Sequence, residues 1–457
     1  MAEFAKNPQN SGQQYKITNA IITADRFGDL EIEVTKQIAE LNVFEHLEKP
    51  YLTGMLMLVD DGNIMGEIKF KGTERFSFEV SSVDEGLNVG FEHTFIMRSI
   101  ERLERTSDKT EVYLISLVDE HAFQDATIRF SKSYTGKLES IATGIIISEL
   151  NKQVDISYAR EVSVQPPTRI IVPYMSPLNA SKWLLNRATT RNGAPYFIYA
   201  TMYDSNIRIG DLETMLAEDA FNAKLPYTYS AASTNDTVDL TEDKKAFVVK
   251  NVRLQQLEET MKMTFDGAIG AQMTTQDISG SSRIAVHHTV RNTLEQLAAN
   301  GVIPDGSEQQ VFDPEYRVVD DEENPVFLDD LDARLFHTVS SYGTYGYNRS
   351  YHDAFTEAES LQRIQSVSIR SMLERNQVEI EIPGTGLFVR NVTVGDTVEV
   401  NFLNSSSSSD EDDENGKYDK AKSGKYLIYS VRHTFKERLH NASVKITKLN
   451  SKKNVPV

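Results

Sequence analysis

The chain has 457 residues, 48 basic against 67 acidic side chains, a net charge of −19 and no cysteine. That length suggests two to four domains; the acidic balance disfavours a nucleic-acid binder, and the missing thiols exclude disulfides, thiolate metal sites and a cysteine nucleophile. With 40% hydrophobic and 25% charged residues the composition is that of an ordinary globular protein, and no window reaches the roughly 20 apolar residues of a membrane span.

Residues 1–14 read as an arm, disordered or extended, without the apolar stretch of a signal peptide, which implies a protein that is cytoplasmic when made. Over 15–125 the signals are almost all β. Residues 15–17 and 20–22 open the block, 30–34 (LEIEV) alternates strictly, and so do 68–70 and, after the Gly72 turn, 76–80. Residues 42–61 hold an apolar-acidic segment, a turn at Glu48-Lys49-Pro50-Tyr51, Gly54 and the alternating strand 55–59. Pro50 neither donates to a ladder nor continues a helix, and Asp61-Gly62 supplies a turn, so both ends of that strand are fixed. Strands at 94–96 and 112–117 follow, split by the polar turn 106–109. Six or more short strands with turns between them predict an antiparallel barrel or sandwich.

The period changes over 126–222, which read as an α+β unit. Residues 137–150 have apolar spacing closer to helical. After Pro166-Pro167 and a strand at 169–172, Ser176 is placed to cap a helix with Pro177 at its first position. Trp183, Leu184, Leu185 and Ala188 are assigned to its buried face, with Trp183 in the core, and Gly193 to its end. Strands at 196–199 and 207–209 are joined through Asp204-Ser205-Asn206, and 212–215 begins a short helix or turn.

Residues 223–375 form a mixed region. Residues 246–249 and 260–265 look like strands flanking 255–258, and 290–297 is a helix ended at Asn300-Gly301. Residues 320–332 (DDEENPVFLDDLD) read as an acidic, proline-interrupted loop, and 336–351 as an ordered surface loop rich in Tyr, Ser and Gly. Leu361, Ile364, Val367 and Met372 have near-helical spacing. Over 376–457 the β signals return, at 377–382, 388–389, 397–400, 426–431 and 443–449. Residues 404–423 (NSSSSSDEDDENGKYDKAKS) are a low-complexity acidic hairpin tip.

No residue is singled out as catalytic, cofactor-binding or metal-ligating. The run 410–414 before Asn415-Gly416 fails as a calcium loop, because an EF-hand needs a Glu where Lys422 stands. His287 and His288 point to opposite faces of a strand, or diverge by about 100° on a helix. No Glu sits in an apolar setting at a helix start that would raise its pKa. None of the phosphate-binding, dinucleotide or nucleophile-elbow motifs occurs, and Gly384-Thr385-Gly386 is a hairpin turn.

Three segments carry a resemblance. The first runs Glu45, Leu47, Pro50, Gly54, Leu56, Leu58, Asp60; the second is 171–177 (IVPYMSP) followed by 183–188 (WLLNRA) and 196–199 (YFIY); the third is 424–435 (GKYLIYSVRHTF) with 444–446 (VKI). In order and spacing they resemble the baseplate hub protein of contractile-tailed, T-even-like bacteriophages, related to the hub portion of type VI secretion spike proteins. The likeness spans most of 15–450; residues 266–350 and 404–423 do not match the pattern.

The resemblance implies a β-rich α+β chain with two tube-type antiparallel β-barrels and intervening α+β units. The arm is 1–14, the first barrel 15–125, the α+β domain 126–222, the mixed region 223–375, lending strands (those around 246–265) to the second barrel, and the second barrel 376–457 with its acidic loop. It implies a homotrimeric ring, a structural baseplate hub that adapts the sixfold tail tube to the threefold central spike. The partners are then the tail tube protein, the central spike protein, other baseplate proteins and the tape measure protein. DNA is only passing cargo, no cofactor is needed, and nothing inserts in a membrane. The protein ends in the virion, assembled in the host cytoplasm. An acidic channel wall would repel DNA and let it pass. Two other readings stand beside this one. A tail-associated peptidoglycan hydrolase needs carboxylates about 5–9 Å apart in a cleft. A receptor- or carbohydrate-binding β-protein needs exposed aromatics, for which Tyr342, Tyr345, Tyr347 and Tyr351 are the candidates, with subunit packing as their alternative use.

Overall fold

A computed structural model describes residues 15–28, 31–82, 90–106, 110–161, 163, 168–229, 247–256, 260–277, 283–304, 317–320, 322–340, 357–384, 387, 391–403, 418–419 and 422–449. The chain is β-rich α+β, with thirteen strands in one sheet and smaller sheets beside it. The expectations for the arm 1–14, Pro166-Pro167, Thr385-Gly386, residues 388–389, the acidic run 410–414 and the four tyrosines of 342–351 lie outside the described residues.

The first strands are β1 (Tyr15–Thr23), β2 (Ile32–Glu33), β3 (Ile38–His46), β4 (Thr53–Asp60), β5 (Arg75–Ser82), β6 (Gly90–Arg105) and β7 (Glu111–Asp119), with helix α1 (Ile64–Ile68) between β4 and β5. Strict alternation buries every second residue of β4. The turn at Pro50 ends β3 and precedes β4, and residues 42–46 belong to β3. β1 is one strand, bulged where Asn19 takes φ 51°. Residues 68–70 are not a strand. The Asp60 carboxylate accepts from the Ile64 and Met65 amides, each at 2.9 Å, and so starts α1, which Lys69 ends at φ 49°. β6 runs nine residues past Ile96, to Arg105, because two bulges shift its register and charged residues hide the alternation. Tyr15, Ile22, Leu41, Leu56, Phe76, Phe78, Phe95 and Ile115 share one core with Phe435 from the far end of the chain.

Helix α2 (Glu120–Thr127), which alternation did not reveal, leads into β8 (Phe130–Gly136), α3 (Leu138–Leu150), β9 (Val154–Asp155), β10 (Thr168–Met175), α4 (Pro177–Leu185), β11 (Tyr196–Ala200), β12 (Ile207–Asp211) and α5 (Leu212–Ala217). Ser176 occupies the cap position of α4 with Pro177 next to it, but the Leu178 amide donates to Asp125 of α2 at 2.7 Å. The helix ends at Leu185. Gly193 instead serves a turn, at φ 80°, with its amide donating to Thr190. Trp183 is half-buried beside this core, with the Arg187 guanidinium 4.2 Å from its ring centre.

The remainder comprises β13 (Tyr227–Tyr229), β14 (Asn251–Gln256), α6 (Thr260–Asp266), β15 (Gly270–Asp277), β16 (Arg283–Thr289), α7 (Val290–Ala299), β17 (Arg317–Val319), β18 (Pro325–Phe327), β19 (Arg334–Ser340), α8 (Glu357–Arg375), β20 (Asn376–Pro383), β21 (Thr397–Phe402), β22 (Gly424–Lys436) and β23 (Leu439–Thr447). Residues 260–265 are a helix, not a strand. Met263 alone of its apolar residues is buried, and Gly267 at φ 75° closes the turn. Val248 makes an isolated bridge to Thr228 rather than a strand. The expected loop 320–332 contains β18 and a 3-10 turn (Leu328–Asp330), and Phe336 lies in β19. Val367 faces outward on α8, while Ile364, Ile369, Met372 and Leu373 are buried.

Along the large sheet the order is β14-β20-β23-β22-β3-β4-β7-β6-β5-β1-β2, with β21 on β22 and β13 on β21. Two sets of strands follow one path. β6-β7-β4-β3 is continued by β22-β23-β20-β14, each set a hairpin plus an antiparallel pair taken in the same chain order. The first part of β6 pairs with β5 up to Ile96, and the first part of β22 pairs with β21 up to Leu427. A bulge follows at once in both, between Met97 and Ser99 and between Ile428 and Ser430.

Candidate functional site

The turn between β3 and β4 is where the parts of the chain meet. Leu47 donates its amide to the Tyr429 carbonyl at 2.9 Å, and the Ala200 amide donates to Lys49 at 3.2 Å. One carboxylate oxygen of Glu48 accepts from Arg370 of α8 at 3.1 Å, while Lys182 of α4 lies 3.5 Å from the other. Burial pushes the Glu48 carboxyl up, but the Arg370 and Lys182 charges outweigh it and hold the group below its usual value. Arg370 also donates to the Tyr196 carbonyl and stacks 4.6 Å from the Phe197 ring centre.

Glu45, three residues earlier and within β3, points to the core side and is 1% exposed. It accepts from the Met202 amide at 2.7 Å and from the Thr393 hydroxyl at 2.6 Å. Burial pushes its carboxyl from the usual 4.5 to about 7, against hydrogen bonds from Thr393, Met202 and Val394. A Glu whose burial raises its pKa therefore exists, in a strand and not at the helix start that the expectation concerned. Its signal was weak: Glu45 falls in phase with Leu41, Val43 and Leu47, all buried, and only that phase marks it as inward.

A cleft of about 260 Å³ opens beside the turn, lined by Glu92, His93, Asp119, His121, Lys152 and Asp204 among others. Asp119 takes the Leu52 amide at 2.5 Å on one oxygen and His93 at 2.6 Å on the other. His121 is 2.8 Å from the Pro50 carbonyl, and burial lowers its pKa. These groups hold the start of β4 and the proline turn in place. Glu45 does not line the cleft.

His287 and His288 lie on opposite faces of β16, as a strand requires: His287 is exposed and His288 is 1% exposed. Among the described residues no group of three or more His, Asp or Glu could hold a metal ion, and no helix is long and apolar enough to cross a membrane.

The face of the two strand sets turned away from their cores follows from the register, since paired residues share a face. It carries Arg102, Arg253, Arg432, Lys436 and Lys445 against Glu40, Glu104, Glu379 and Glu381. Opposite charges neighbour one another there, with Glu40 3.6 Å from Lys436 and 3.7 Å from Arg432. An acidic wall is what the expectation of a channel calls for; this face of the sheet is not acidic. This face is charge-balanced, and the net charge of −19 resides elsewhere.

No protein-family model and no curated protein matches the chain. Among solved structures it is similar to the 43 kDa tail protein of prophage MuSo2 from Shewanella oneidensis, at TM-score 0.50 and 13% identity, over 95% of this chain and 99% of that one. A tail protein from Neisseria meningitidis MC58 gives TM-score 0.48 and 12% identity, over 95% and 97%. A Francisella PdpA-VgrG complex in its half-lidded form gives 0.42 and 10%, over 97% of this chain and 59% of that one. The structural neighbours of the chain are phage tail proteins and a VgrG complex, and it shares its fold, nearly end to end, with a prophage tail protein.

Proposed function

We propose that the chain is a structural, non-catalytic baseplate hub of a contractile phage tail. Three copies form a ring between the sixfold tail tube and the threefold central spike, around a channel for the genome. The observation that carries this reading is the repeated strand path. One chain offers two like sets, so three chains offer six, which suits a sixfold tube on one side and a threefold spike on the other. In this reading residues 15–125 and 376–457 each wrap into a tube-type barrel, β14 from the mixed region 223–375 completes the second, and the α+β domain 126–222 sits on the rim. The partners are the tail tube, the spike, other baseplate proteins and the tape measure protein, and the place is the virion. Charge balance on the sheet face suits a wall along which DNA slides without binding.

The test is the mass in solution by light scattering, alone and with tail tube and spike proteins added. A three-chain mass in either condition is the expected result. A chain that stays monomeric in both overturns the reading.

A further inference from the structure

Resting on that ring, we propose that β14 of one chain pairs antiparallel with residues 98–105 of β6 in a second copy, and that Arg253 stands opposite Glu104 of that copy. Beyond Ile96, β6 pairs only with β7, and β14 pairs only with β20, so among the described residues each presents one bare edge. A long bare edge invites another strand. Leu103, on the core side of that edge, is 53% exposed.

The chain already contains the solution to this edge. The counterpart of β6 is β22, whose residues 430–436 are covered antiparallel by residues 40–46 of β3. The counterpart of β3 is β14, at the far end of the second set. What covers β22 from within the chain has its equivalent for β6 only in another copy.

The repeat also sets the register. The bulges align Ser99 with Ser430; the second bulge, between Ile100 and Arg102, absorbs one residue, so Arg102 matches Arg432 and Glu104 matches Thr434. On the other side, Gly54 pairs with Leu117 and Leu117 with Met97, while Val378 pairs with Ile446 and Ile446 with Ile428. Gly54 therefore matches Val378. Val43, opposite Gly54, then matches residue 254, opposite Val378, and Asn42 matches Arg253. Within the chain Asn42 stands opposite Thr434, joined by a 2.8 Å hydrogen bond. Between chains the same position sets Arg253 against Glu104.

The chemistry agrees with this register. Opposite charges face across the seam, and Leu103 comes opposite position 254 on the core side, out of water. A one-residue slip would turn Leu103 and the charges to the wrong faces. A two-residue slip would set Arg253 against Arg102.

Because the chain has no cysteine, the pairing is read by oxidising the double variant E104C/R253C under the condition that gives the three-chain mass. Disulfide-linked species of two and three chains, absent from either single variant and from R105C/R253C, are expected. R253E or E104R alone should lower the assembled fraction at least about fivefold through like-charge contact, and the double reversal should restore it. A three-chain mass without the E104C/R253C link, or with R105C linking equally well, overturns the pairing and leaves the ring. A monomer in every condition overturns the ring and the pairing together.

Discussion

The two strand sets share a path but not their connections. In the first, β3 passes to β4 through residues 47–52; in the second, β14 passes to β20 through residues 257–375, which include α6, α7, α8 and the β16-β15-β19 sheet. The register within each set is unaffected, since Val43 still faces Gly54 as residue 254 faces Val378. A connection at the end of a hairpin lies outside the ladder, and the entropy of closing it grows only slowly with length, so it accepts a large insertion. The sets also differ in their buried titratable groups. The first buries the carboxyl of Glu45; the second buries His433 and His440, 3.1 Å apart.

That difference makes acid and base pull the two sets in opposite directions. Burial holds His433 at about 3, and burial together with His433 holds His440 well below its usual range. The folded chain then binds fewer protons than the unfolded one below pH 6.5. The stability of this pair is full above that value and is lost as pH falls toward 3, His433 alone contributing on the order of 4 kcal/mol. Denaturant melts between pH 7 and 3 measure it, and a flat profile would mean the pair is not buried neutral.

For Glu45 the slope reverses. Its folded value of about 7 lies above the usual 4.5, so its contribution is full below pH 4.5 and is lost as pH rises through 7, roughly 3 kcal/mol. E45Q keeps an acceptor for the Met202 amide and a donor for Thr393 without the charge. Its melts should lose that slope, and an unchanged slope would place the titration elsewhere.

Gly384, at the end of β20, has no room for a Cβ, which would lie 1.9 Å from Nδ1 of the buried His440. That ring is fixed by Phe435 stacked at 4.5 Å and Tyr15 edge-on at 5.3 Å. G384A should cost about 2 kcal/mol by overpacking, read as a lower urea midpoint with unchanged slope; a wild-type midpoint would show that the second set tolerates slack here.

The smallest effect lies where the first set hands on to the α+β unit. D125A removes the acceptor of the Leu178 amide and should cost about 1 kcal/mol, whereas S176A should cost less, although Ser176 holds the cap position. Equal losses would return the capping role to Ser176.

Much of the first set was legible because its signals are local. Alternation in 55–59 and 76–80 marks an inner and an outer face, and Pro50 and Asp61-Gly62 set boundaries without reference to distant residues. Where alternation misled, a neighbour decided. Ile68 ended a helix rather than opening a strand because Asp60 supplied two acceptors to that helix's first amides, and 260–265 became helix because only Met263 had a core to enter. The junction was legible only in part. Pro50 stood out, but the roles of Glu45, Glu48 and Asp119 depend on partners such as Thr393, Arg370 and His93, which spacing does not reveal.

The sequence by itself determined that the chain is β-rich α+β, where several strands begin and end, and that thiol chemistry has no part in it, because these follow from side-chain period, backbone restriction and composition. Only the tertiary structure decided that Asn42 lies against Thr434, 392 residues away, that two strand sets repeat one path, and that, among the described residues, each leaves an edge bare. Strand order depends on pairings between segments whose individual preferences are alike, and those preferences do not name the partner.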